Sequence, residues 1–548
     1  MGELTTYGVL AAIAQTYPDR EALVTGDRRL TYAQLIGRAN RLAHVLADAG
    51  LGARSERDGL GGHESHQHHV GLYLHNGTEY IEGMLGACAA RAATFNVNYR
   101  YVADELRYLL GDAGTTALVY HARFAPMLAD IRDELPELRL LLQVADDSGE
   151  ALLPGAIDYE AALAAASDAP LTDRSPSPDD LFIVYTGGTT GMPKGVLWRQ
   201  HDMYVAALGG RPFGSDQAYA SIEALVDAIG DPGPRLLLTP PFMHAAGQWS
   251  TFNMFTMGGS VVLVDLTRGL DAREALRLAD EEQVNLIAIV GDAFGRPLAE
   301  ELDRQPRDLP NLLSISSGGA PLTAPVRERL LAHLPNIVVL DGMGSSETGI
   351  QMSRTATKDG ADAASFDAGP DAVVIDETAS RLLEPGEDEV GWLAQRGHVP
   401  LGYLGDAEKT ARTFPVIDGI RYSVPGDRAR LGTDGTIELL GRDSVTINSG
   451  GEKIFAEEVE AALTPHASVA DVVVTGRTSE RWGQEVVAIV ELVDGAEPDE
   501  KGLLTEAARH IARYKLPKAF VFVDQVVRSP AGKADYRWAK AQAEAAPR

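Results

Sequence analysis

The chain is predicted to be an α/β protein with a large N-terminal domain of helix-covered sheets and a small C-terminal α+β domain. Strand-like runs alternate with amphipathic helical stretches through most of the sequence, which favours parallel strands joined by helices. A glycine-rich segment follows one apolar run directly, and shorter strands with tight turns begin after Gly391. Ligands of such folds bind at the carboxyl ends of the strands.

The first clear helix is expected after Thr31, because Thr31 and Gln34 form a capping box and Gly50 lies where a C-cap would. The strands that alternate with later helices are predicted at Ala117 to Tyr120, Leu140 to Val144, Leu236 to Thr239, Ser260 to Val264, Leu286 to Val290, Leu312 to Ser316 and Ile337 to Leu340.

A compact α+β module is predicted from about Thr446 onward. We place the domain boundary at 442–445, which leaves a large domain of residues 1–441 and a small one of 446–548. The small domain is expected to contain helices at Ala456 to Leu463 and Lys501 to Arg513, with strands at Val469 to Thr475, Val486 to Leu492 and Phe520 to Val523.

Composition excludes several classes of partner. The 548 residues carry a net charge of −29, which repels nucleic acid and anionic membranes, so phosphate ligands need local positive sites. No apolar stretch reaches the ~20 residues of a membrane span, and the N-terminus has no basic signal region. The single cysteine, Cys88, lies in an apolar run and fits a reducing, cytoplasmic setting.

The segment Arg54 to His69 is rich in histidine and glycine. Its spacing misses the HExxH zinc pattern, and the glycines leave nothing to fix a metal geometry. A solvated loop is therefore favoured over a metal site.

The segment Tyr185 to Val196, YTGGTTGMPKGV, follows an apolar β-prone run. Glycines allow backbone amides to converge on an anion, hydroxyl groups add donors, and Lys194 adds positive charge. The pattern is not a Walker A loop, because Pro193 precedes Lys194 and Gly195 follows it. We therefore predict a cradle for a polyphosphate.

Further motifs follow in order along the chain: 240–247 (PPFMHAAG), 317–321 (SGGAP), 341–348 (DGMGSSET), 424–428 (VPGDR), 441–443 (GRD) and 529–535 (SPAGKAD). With the phosphate loop, they resemble the adenylate-forming superfamily of acyl-CoA and aryl-CoA synthetases, peptide-synthetase adenylation domains and luciferases. The nearest likeness is to actinobacterial synthetases for bulky steroid or diterpenoid acids, through Asn96 to Leu110, Trp198, Ser444 to Val459 and Ser529 to Trp538.

The resemblance implies ATP, Mg²⁺ and coenzyme A as cofactor and co-substrates. It assigns catalysis to Lys533, Thr186 and Glu347, and the metal to Glu347 and Thr186, since carboxylate and hydroxyl oxygens are hard ligands. The nucleotide residues that it implies are Thr186, Gly187, Gly188, Thr189, Thr190, Lys194, Gly318, Gly319, Ala320, Asp341, Gly342, Met343, Gly344, Ser345, Ser346, Asp427, Arg442 and Lys533.

The resemblance also implies an acid pocket and a thiol tunnel. Met343 departs from the family, in which many members have an aromatic ring near adenine. Residues 442–445 would form a hinge about which the small domain rotates, removing Lys533 and admitting the thiol. The pocket residues implied are His244, Ala246, Gly247, Phe294, Ser317 and Gly342, and the tunnel residues are Ser449, Gly450 and Gly451.

The sequence therefore predicts an ATP-dependent carboxylic acid:CoA ligase that forms an acyl-AMP, on a bulky hydrophobic terpenoid, steroid or long-chain acid. The alternative is an enzyme that stops at the adenylate and passes it to a partner protein. A nucleotide-binding scaffold is disfavoured by the joint presence of Thr186, Glu347, Asp427 and Lys533. The identity of the acid and assembly as a homodimer are left open.

Overall fold

The structure is a computed structural model that describes residues 4–186, 192–212, 214–358, 360, 366–449, 452–479, 483–511, 513–528 and 532–546.

The first large sheet is parallel in its centre and closes with antiparallel strands at both edges. Its carboxyl edge carries the SGGAP and DGMGSSET motifs, because each motif begins within or follows a parallel strand. The strands in spatial order are Asp367–Ala368, Gly349–Ala356, Val338–Ser345, Ser314–Gly318, Leu286–Ile289, Arg235–Leu238, Ser260–Leu263, Glu21–Thr25 and Arg28–Thr31.

The second large sheet is also mainly parallel, and the hairpin that contains the phosphate loop lies next to its edge strand, Gly402–Tyr403. The strands in spatial order are Gly402–Tyr403, Lys194–Arg199, Leu181–Thr186, Ala93–Asn96, His69–Tyr73, Thr115–His121, Leu140–Val144 and Ile157–Asp158.

Helices fill the layer between these sheets and cover their outer faces. The main core joins apolar residues of both sheets to buried faces of the helices between them, and two further cores lie behind the outer faces. Among the described residues, every helix is too short or too polar to cross a membrane. The helices are Thr6–Thr16, Tyr32–Asp48, Thr78–Ala89, Ala103–Asp112, Ala125–Ile131, Tyr159–Ala165, Gln200–Ala207, Ile222–Asp227, Ala245–Thr256, Ala272–Glu281, Gly291–Arg304, Ala324–His333, Ala407–Thr413, Ala456–Leu463, Glu500–Ala507 and Tyr536–Ala545.

A third, antiparallel sheet and a fourth sheet complete the chain. The third sheet contains Val416–Ile417, Ile420–Ser423, Val390–Arg396, Asp427–Leu431 and Ile437–Arg442, with Ala372–Ile375 beside Val390–Arg396. After a short helical turn at Asp443–Val445, the fourth sheet forms the small domain from Glu452–Ile454, Ile447–Ser449, Gly483–Leu492, Val469–Ser479 and Ala519–Val523.

The predicted fold class is confirmed. The Thr31 and Gln34 capping box is present, and Cys88 is buried. One predicted element is too long: the helix expected over Lys501 to Arg513 ends at Ala507, where Ala508 closes the last turn by donating its N–H to the Leu504 carbonyl.

The histidine-rich segment is better ordered than the predicted solvated loop. His66 and His69 are buried, and His69 lies within bonding distance of the Ala113 carbonyl and the Ser65 hydroxyl. Across the described ranges, no group of three or more His, Cys, Asp or Glu side chains is arranged to hold a metal. His66 and His69 therefore have a structural role, because His66 contacts Asp180 and His69 contacts Ala113 and Ser65.

The small domain contains an unusual carboxyl group at Glu460. The Val474 N–H donates to Glu460 Oε1 at 2.8 Å. Burial, with a smaller contribution from Glu457, raises the Glu460 pKa from 4.5 to about 8.

We predict that Glu460→Gln makes the small domain less sensitive to alkaline pH. Because the folded pKa is raised, the stabilisation is complete below about pH 4.5 and is lost as pH rises to about 8. Urea unfolding at pH 5 and pH 9 should show a smaller decrease in stability for Glu460→Gln than for wild type. The exposed Glu497→Gln is the control, and an equal decrease in all three proteins would contradict the assignment.

Candidate active site

The phosphate loop joins two strands of the second sheet at a hairpin. Thr186 pairs with Lys194 where Leu181–Thr186 and Lys194–Arg199 meet. The hairpin therefore brings Thr186 and Lys194 side by side at the base of the loop. Gly187, Gly188, Thr189 and Thr190 lie outside the described residues.

Lys194 is held by a carboxylate. Its Nζ lies 2.7 Å from Asp406 Oδ2, while Asp406 Oδ1 accepts the Lys409 N–H at 2.9 Å and caps a helix. The hydrogen bond from Lys194, followed by the Lys409 N–H, lowers the Asp406 pKa. Asp406 therefore stays ionised and aligns Lys194.

The predicted magnesium ligand is joined to the same corner. The Tyr403 hydroxyl donates to Glu347 Oε1 at 2.9 Å, and Lys409 Nζ lies 4.1 Å from the centroid of the Tyr403 ring. Burial, followed by repulsion from Lys194, lowers the Lys409 pKa. Tyr403 therefore lies close to Lys194, Lys409 and the Glu347 carboxylate.

The backbone that carries Glu347 is fixed from two sides. The Ser423 hydroxyl donates to the Glu347 carbonyl at 2.6 Å, and the buried Trp198 indole donates to the Ser346 carbonyl at 2.8 Å. The Ser345 N–H donates to the Thr348 hydroxyl at 2.9 Å. These contacts position the carboxylate before any ligand binds, which is the usual requirement for a metal ligand.

The floor beside this corner is made of small residues on neighbouring strands. Gly318 and Gly342 are paired in register, and a side chain on either would contact the backbone of the other strand at 3.5 Å. Gly319 has φ +88°, and a Cβ there would lie 3.8 Å from Ala246 Cβ. Small residues on both strands therefore keep side chains out of this part of the surface.

Two side chains of DGMGSSET point to structural contacts. Asp341 is buried and accepts Arg354 Nη2 at 2.5 Å, although burial still raises its pKa. Met343 pairs with Met352 and packs against the apolar core of the third sheet. Gly344, the residue between Met343 and Ser345, continues the same strand.

The 240–247 motif is held by two asparagines, Asn76 and Asn96, for which the sequence indicated no such role. Asn96 Nδ2 donates to the Tyr185 and Met243 carbonyls at 2.8 and 2.7 Å, and Asn96 Oδ1 accepts the Tyr185 N–H. Asn76 bonds to Pro240 and Phe242 in the same way. The Asn96 carboxamide fixes the 240–247 motif to the phosphate-loop strand, whereas Asn76 fixes the same motif to the segment after the His69–Tyr73 strand.

Three predicted pocket residues have tight structural surroundings. A side chain at Gly247 would lie 2.8 Å from the Pro241 carbonyl. The Ser317 hydroxyl accepts the Gly291 N–H at 3.1 Å. Phe294 is buried with Leu298 in the core behind the first sheet. Ser317 thus anchors the start of the 291–304 helix.

The ribose and boundary residues lie on one hairpin. Asp427 is buried and pairs with Arg442 across the strands. The neighbouring Arg428 binds Asp443 Oδ1 at 3.0 Å and lies 3.6 Å from the Trp392 ring centroid. Arg428 therefore braces the boundary segment, a role that sequence analysis did not identify.

The turn that carries Lys533 lies against the large domain. A Cβ at Gly532 would lie 3.2 Å from the Cβ atoms of both Ala293 and Ala320, so the turn contacts the SGGAP motif. His244 is close enough to Lys533 to be affected by its charge. Burial, followed by repulsion from Lys533 and Arg100, lowers the pKa of His244 to about 4. Ser449 ends a small-domain strand, and Gly450 and Gly451 lie outside the described residues.

The structure therefore brings Thr186, Lys194 and Glu347 to one corner, and Ala320, His244 and Lys533 to the adjoining one. It adds Asp406 and Tyr403 between the phosphate loop and Glu347. Those two residues belong to none of the motifs, so the sequence alone does not mark them.

We predict that His244 makes the fold sensitive to acid. Its folded pKa of about 4 lies below the ordinary 6.5, so the unfolded chain binds the extra proton and stability falls as pH drops from about 6.5 to 4. In thermal unfolding between pH 7.5 and pH 5, His244→Gln should lose less stability than wild type. The exposed His510→Gln should behave as wild type, and an unchanged decrease in His244→Gln would refute the assignment.

Comparison with known proteins agrees with this geometry. Residues 10–404 match the family of AMP-binding enzymes, and residues 458–533 match the AMP-binding enzyme C-terminal domain. The chain is 55% identical to the medium-chain acyl-CoA ligase Mig of Mycobacterium avium, over 98% of both chains. It is 40% identical to 3-oxocholest-4-en-26-oate–CoA ligase of Rhodococcus rhodochrous, over 96% of this chain and 93% of that one.

Solved structures show the same fold. An anthranilate CoA ligase in complex with anthranoyl-AMP superposes with a TM-score of 0.80 at 20% identity, over 99% of this chain and 98% of that one. ATP-bound MatB from Rhodopseudomonas palustris gives 0.79 at 23% identity, over 99% of both chains. The chain belongs to the AMP-binding enzyme family, as a member of the adenylate-forming superfamily.

Proposed function

We propose that this protein joins a hydrophobic carboxylic acid to coenzyme A at the expense of ATP, through an acyl-AMP intermediate. The observation that carries the proposal is the contact of the Lys533 turn with Ala293 and Ala320. This contact lies beside His244 and the small residues of the SGGAP motif. This contact supports the assignment of Lys533 to the place where the carboxylate and the α-phosphate would meet.

In the first step, a carboxylate oxygen of the acid attacks the α-phosphorus of ATP, and pyrophosphate leaves. Both reactants are anions, so the protein must supply positive charge and orientation. Lys194 and Thr186 hold the outer phosphates, and Lys533 holds the attacking carboxylate and the α-phosphate oxygens. Asp427 accepts the ribose hydroxyls.

The donor set of this corner fits Mg²⁺, because the Glu347 carboxylate and the Thr186 hydroxyl are hard oxygen ligands and the phosphates provide the others. When bound, the ion neutralises charge that builds up on the phosphates. Tyr403 orients the Glu347 carboxylate by donating to Oε1.

In the second step, the thiol sulfur of coenzyme A attacks the acyl carbonyl carbon, and AMP leaves. The small domain first rotates about residues 442–445, which withdraws Lys533. Ser449, Gly450 and Gly451 then line the path of the thiol. The bracing of Asp443 by Arg428 gives this hinge a fixed end on the large domain.

For the acid, we propose a chain of medium length or a larger apolar acid. Support comes from the small residues Ala246, Gly318, Gly319 and Gly342 at the floor, and from relatives named for medium-chain and steroid acids. Burial keeps the His244 imidazole neutral. A neutral side chain is better suited than a charged one to line a pocket for an apolar acid. A screen of pyrophosphate release with medium-chain, long-chain, aryl and steroid acids tests this choice.

The alternative, transfer of the adenylate to a partner protein, is less well supported because the relatives are named CoA ligases over the whole length of this chain. Acid-dependent pyrophosphate release with no thioester on addition of coenzyme A would favour the alternative.

We predict that Lys533→Ala slows acid-dependent pyrophosphate release by about 100-fold or more, because a cation aimed at the transition-state charge is lost. The control is Lys540→Ala, which removes an exposed lysine from the Tyr536–Ala545 helix. Rapid-quench measurement with ATP and acid, without coenzyme A, isolates this step. Undiminished release in Lys533→Ala would remove the lysine from the mechanism.

We predict that Tyr403→Phe raises the Mg²⁺ concentration for half-maximal pyrophosphate release by about tenfold, because Glu347 loses the donor that orients it. Titration of Mg²⁺ at saturating ATP measures the effect. Tyr514→Phe, on a half-exposed small-domain ring, is the control. Identical titration curves for Tyr403→Phe and wild type would show that the contact does not act on the metal.

A further inference from the structure

One side chain of the large domain reaches the small domain well away from the phosphate loop. Arg296, on the Gly291–Arg304 helix, donates from Nη2 to the Ala470 carbonyl of the small domain at 3.1 Å. The same Nη2 lies 3.3 Å from Asp292 Oδ2, one turn earlier on the helix. Arg296 is therefore fixed within its own domain while it bonds across the interface.

The residue after Ala470 continues the connection toward Lys533. Asp471 binds Arg528 in a bidentate pair, with Nε to Oδ2 and Nη2 to Oδ1 both at 2.6 Å. Arg528 Nη1 also donates to the Gly532 carbonyl at 3.3 Å, and Arg528 pairs with Ala534 across the turn. The Arg528 side chain thus holds the residue before Lys533, and the Arg528 backbone holds the residue after it.

The turn itself rests on the helix that carries Arg296. Gly532 has φ +73°, and a Cβ on it would lie 3.2 Å from Ala293 Cβ and from Ala320 Cβ. The small domain therefore meets the 291–304 helix at two points, the Ala470 carbonyl and Gly532. Two separated contacts on one helix define an orientation better than either contact alone.

Each domain contributes one carboxylate and one guanidinium group to this contact, Asp292 with Arg296 and Asp471 with Arg528. Asp292 accepts the Thr323 N–H and hydroxyl, each at 2.8 Å, and faces Arg296. Burial raises the Asp292 pKa, Thr323 and Arg296 oppose the rise, and Asp471 of the other domain adds to it. Arg296 and Arg528 lie among these two carboxylates and offset their repulsion.

We propose that Arg296, together with the Asp471 and Arg528 pair, forms a latch that holds the small domain in the adenylating orientation and positions Lys533. This inference rests on the proposed function, since it assigns Lys533 to the first step. Rotation about residues 442–445 carries Ala470 and Gly532 off the helix together, so the latch opens before the thiol step. Arg296 is a positioning residue that acts through the small domain.

The test separates the two half-reactions in Arg296→Met, Arg296→Lys and the control Arg304→Met. Arg304 lies on the same helix and its side chain is 75% exposed. Arg296→Met should slow pyrophosphate release without coenzyme A by about tenfold, the loss of one charged hydrogen bond. Thioester formation from supplied acyl-AMP and coenzyme A should stay within about twofold of wild type, since the latch is open in that step.

Arg296→Lys, which keeps a donor and the charge, should recover part of the lost rate, and Arg304→Met should match wild type. Equal losses in both half-reactions, or no loss in either, would overturn the latch. Thermal unfolding of each variant identifies a loss caused by misfolding.

A readout without catalysis tests the contact itself. Cysteines introduced at Ala293 and Gly532 should form a disulfide, and Arg296→Met should slow its formation by about tenfold because the docked orientation becomes less populated. Unchanged formation would also overturn the latch. Absence of acid-dependent pyrophosphate release in wild type would instead refute the proposed function, and the disulfide measurement would still decide the latch.

Discussion

The active site depends on overcoming the repulsion between two anions. A carboxylate must approach a triphosphate on a protein whose own net charge is −29, so the local cations decide whether they meet. Lys194 comes from the phosphate-loop hairpin, Lys409 from a helix after the second sheet, and Lys533 from the small domain. The fold gathers three distant parts of the chain at the carboxyl edges of two sheets.

These cations are useful only if they are aligned in advance. Asp406 aligns Lys194, Tyr403 links the same corner to Glu347, and Trp198 and Ser423 fix the backbone around Glu347. On the other side, Asn96 ties the acid-side motif to the phosphate-loop strand. The described part of the site is thus held by contacts within the chain itself. Under the proposed function, the small domain would change its orientation between two steps with different attacking groups.

Much of this arrangement was predictable from local sequence. The alternation of strands and helices predicted the fold class, because hydrophobic periodicity and turn residues are local signals. The motifs predicted Thr186, Glu347, Asp427 and Lys533 as site residues. The residues that hold the site in place were not predictable, because they act through partners far along the chain. They are Asp406, Tyr403, Asn76 and Arg296. The burial of His66 and His69 was not predictable for the same reason, since their partners Asp180 and Ala113 lie outside the histidine-rich segment.

The central claim is that the acid becomes an acyl-AMP on this protein, and transfer of oxygen tests it most directly. A medium-chain acid labelled with ¹⁸O in its carboxylate is incubated with the enzyme, ATP, Mg²⁺ and coenzyme A, and the nucleotide product is analysed by mass spectrometry. Attack of the carboxylate on the α-phosphorus predicts AMP that contains one ¹⁸O atom from the acid. Unlabelled AMP, or label in ADP or inorganic phosphate, would contradict the account.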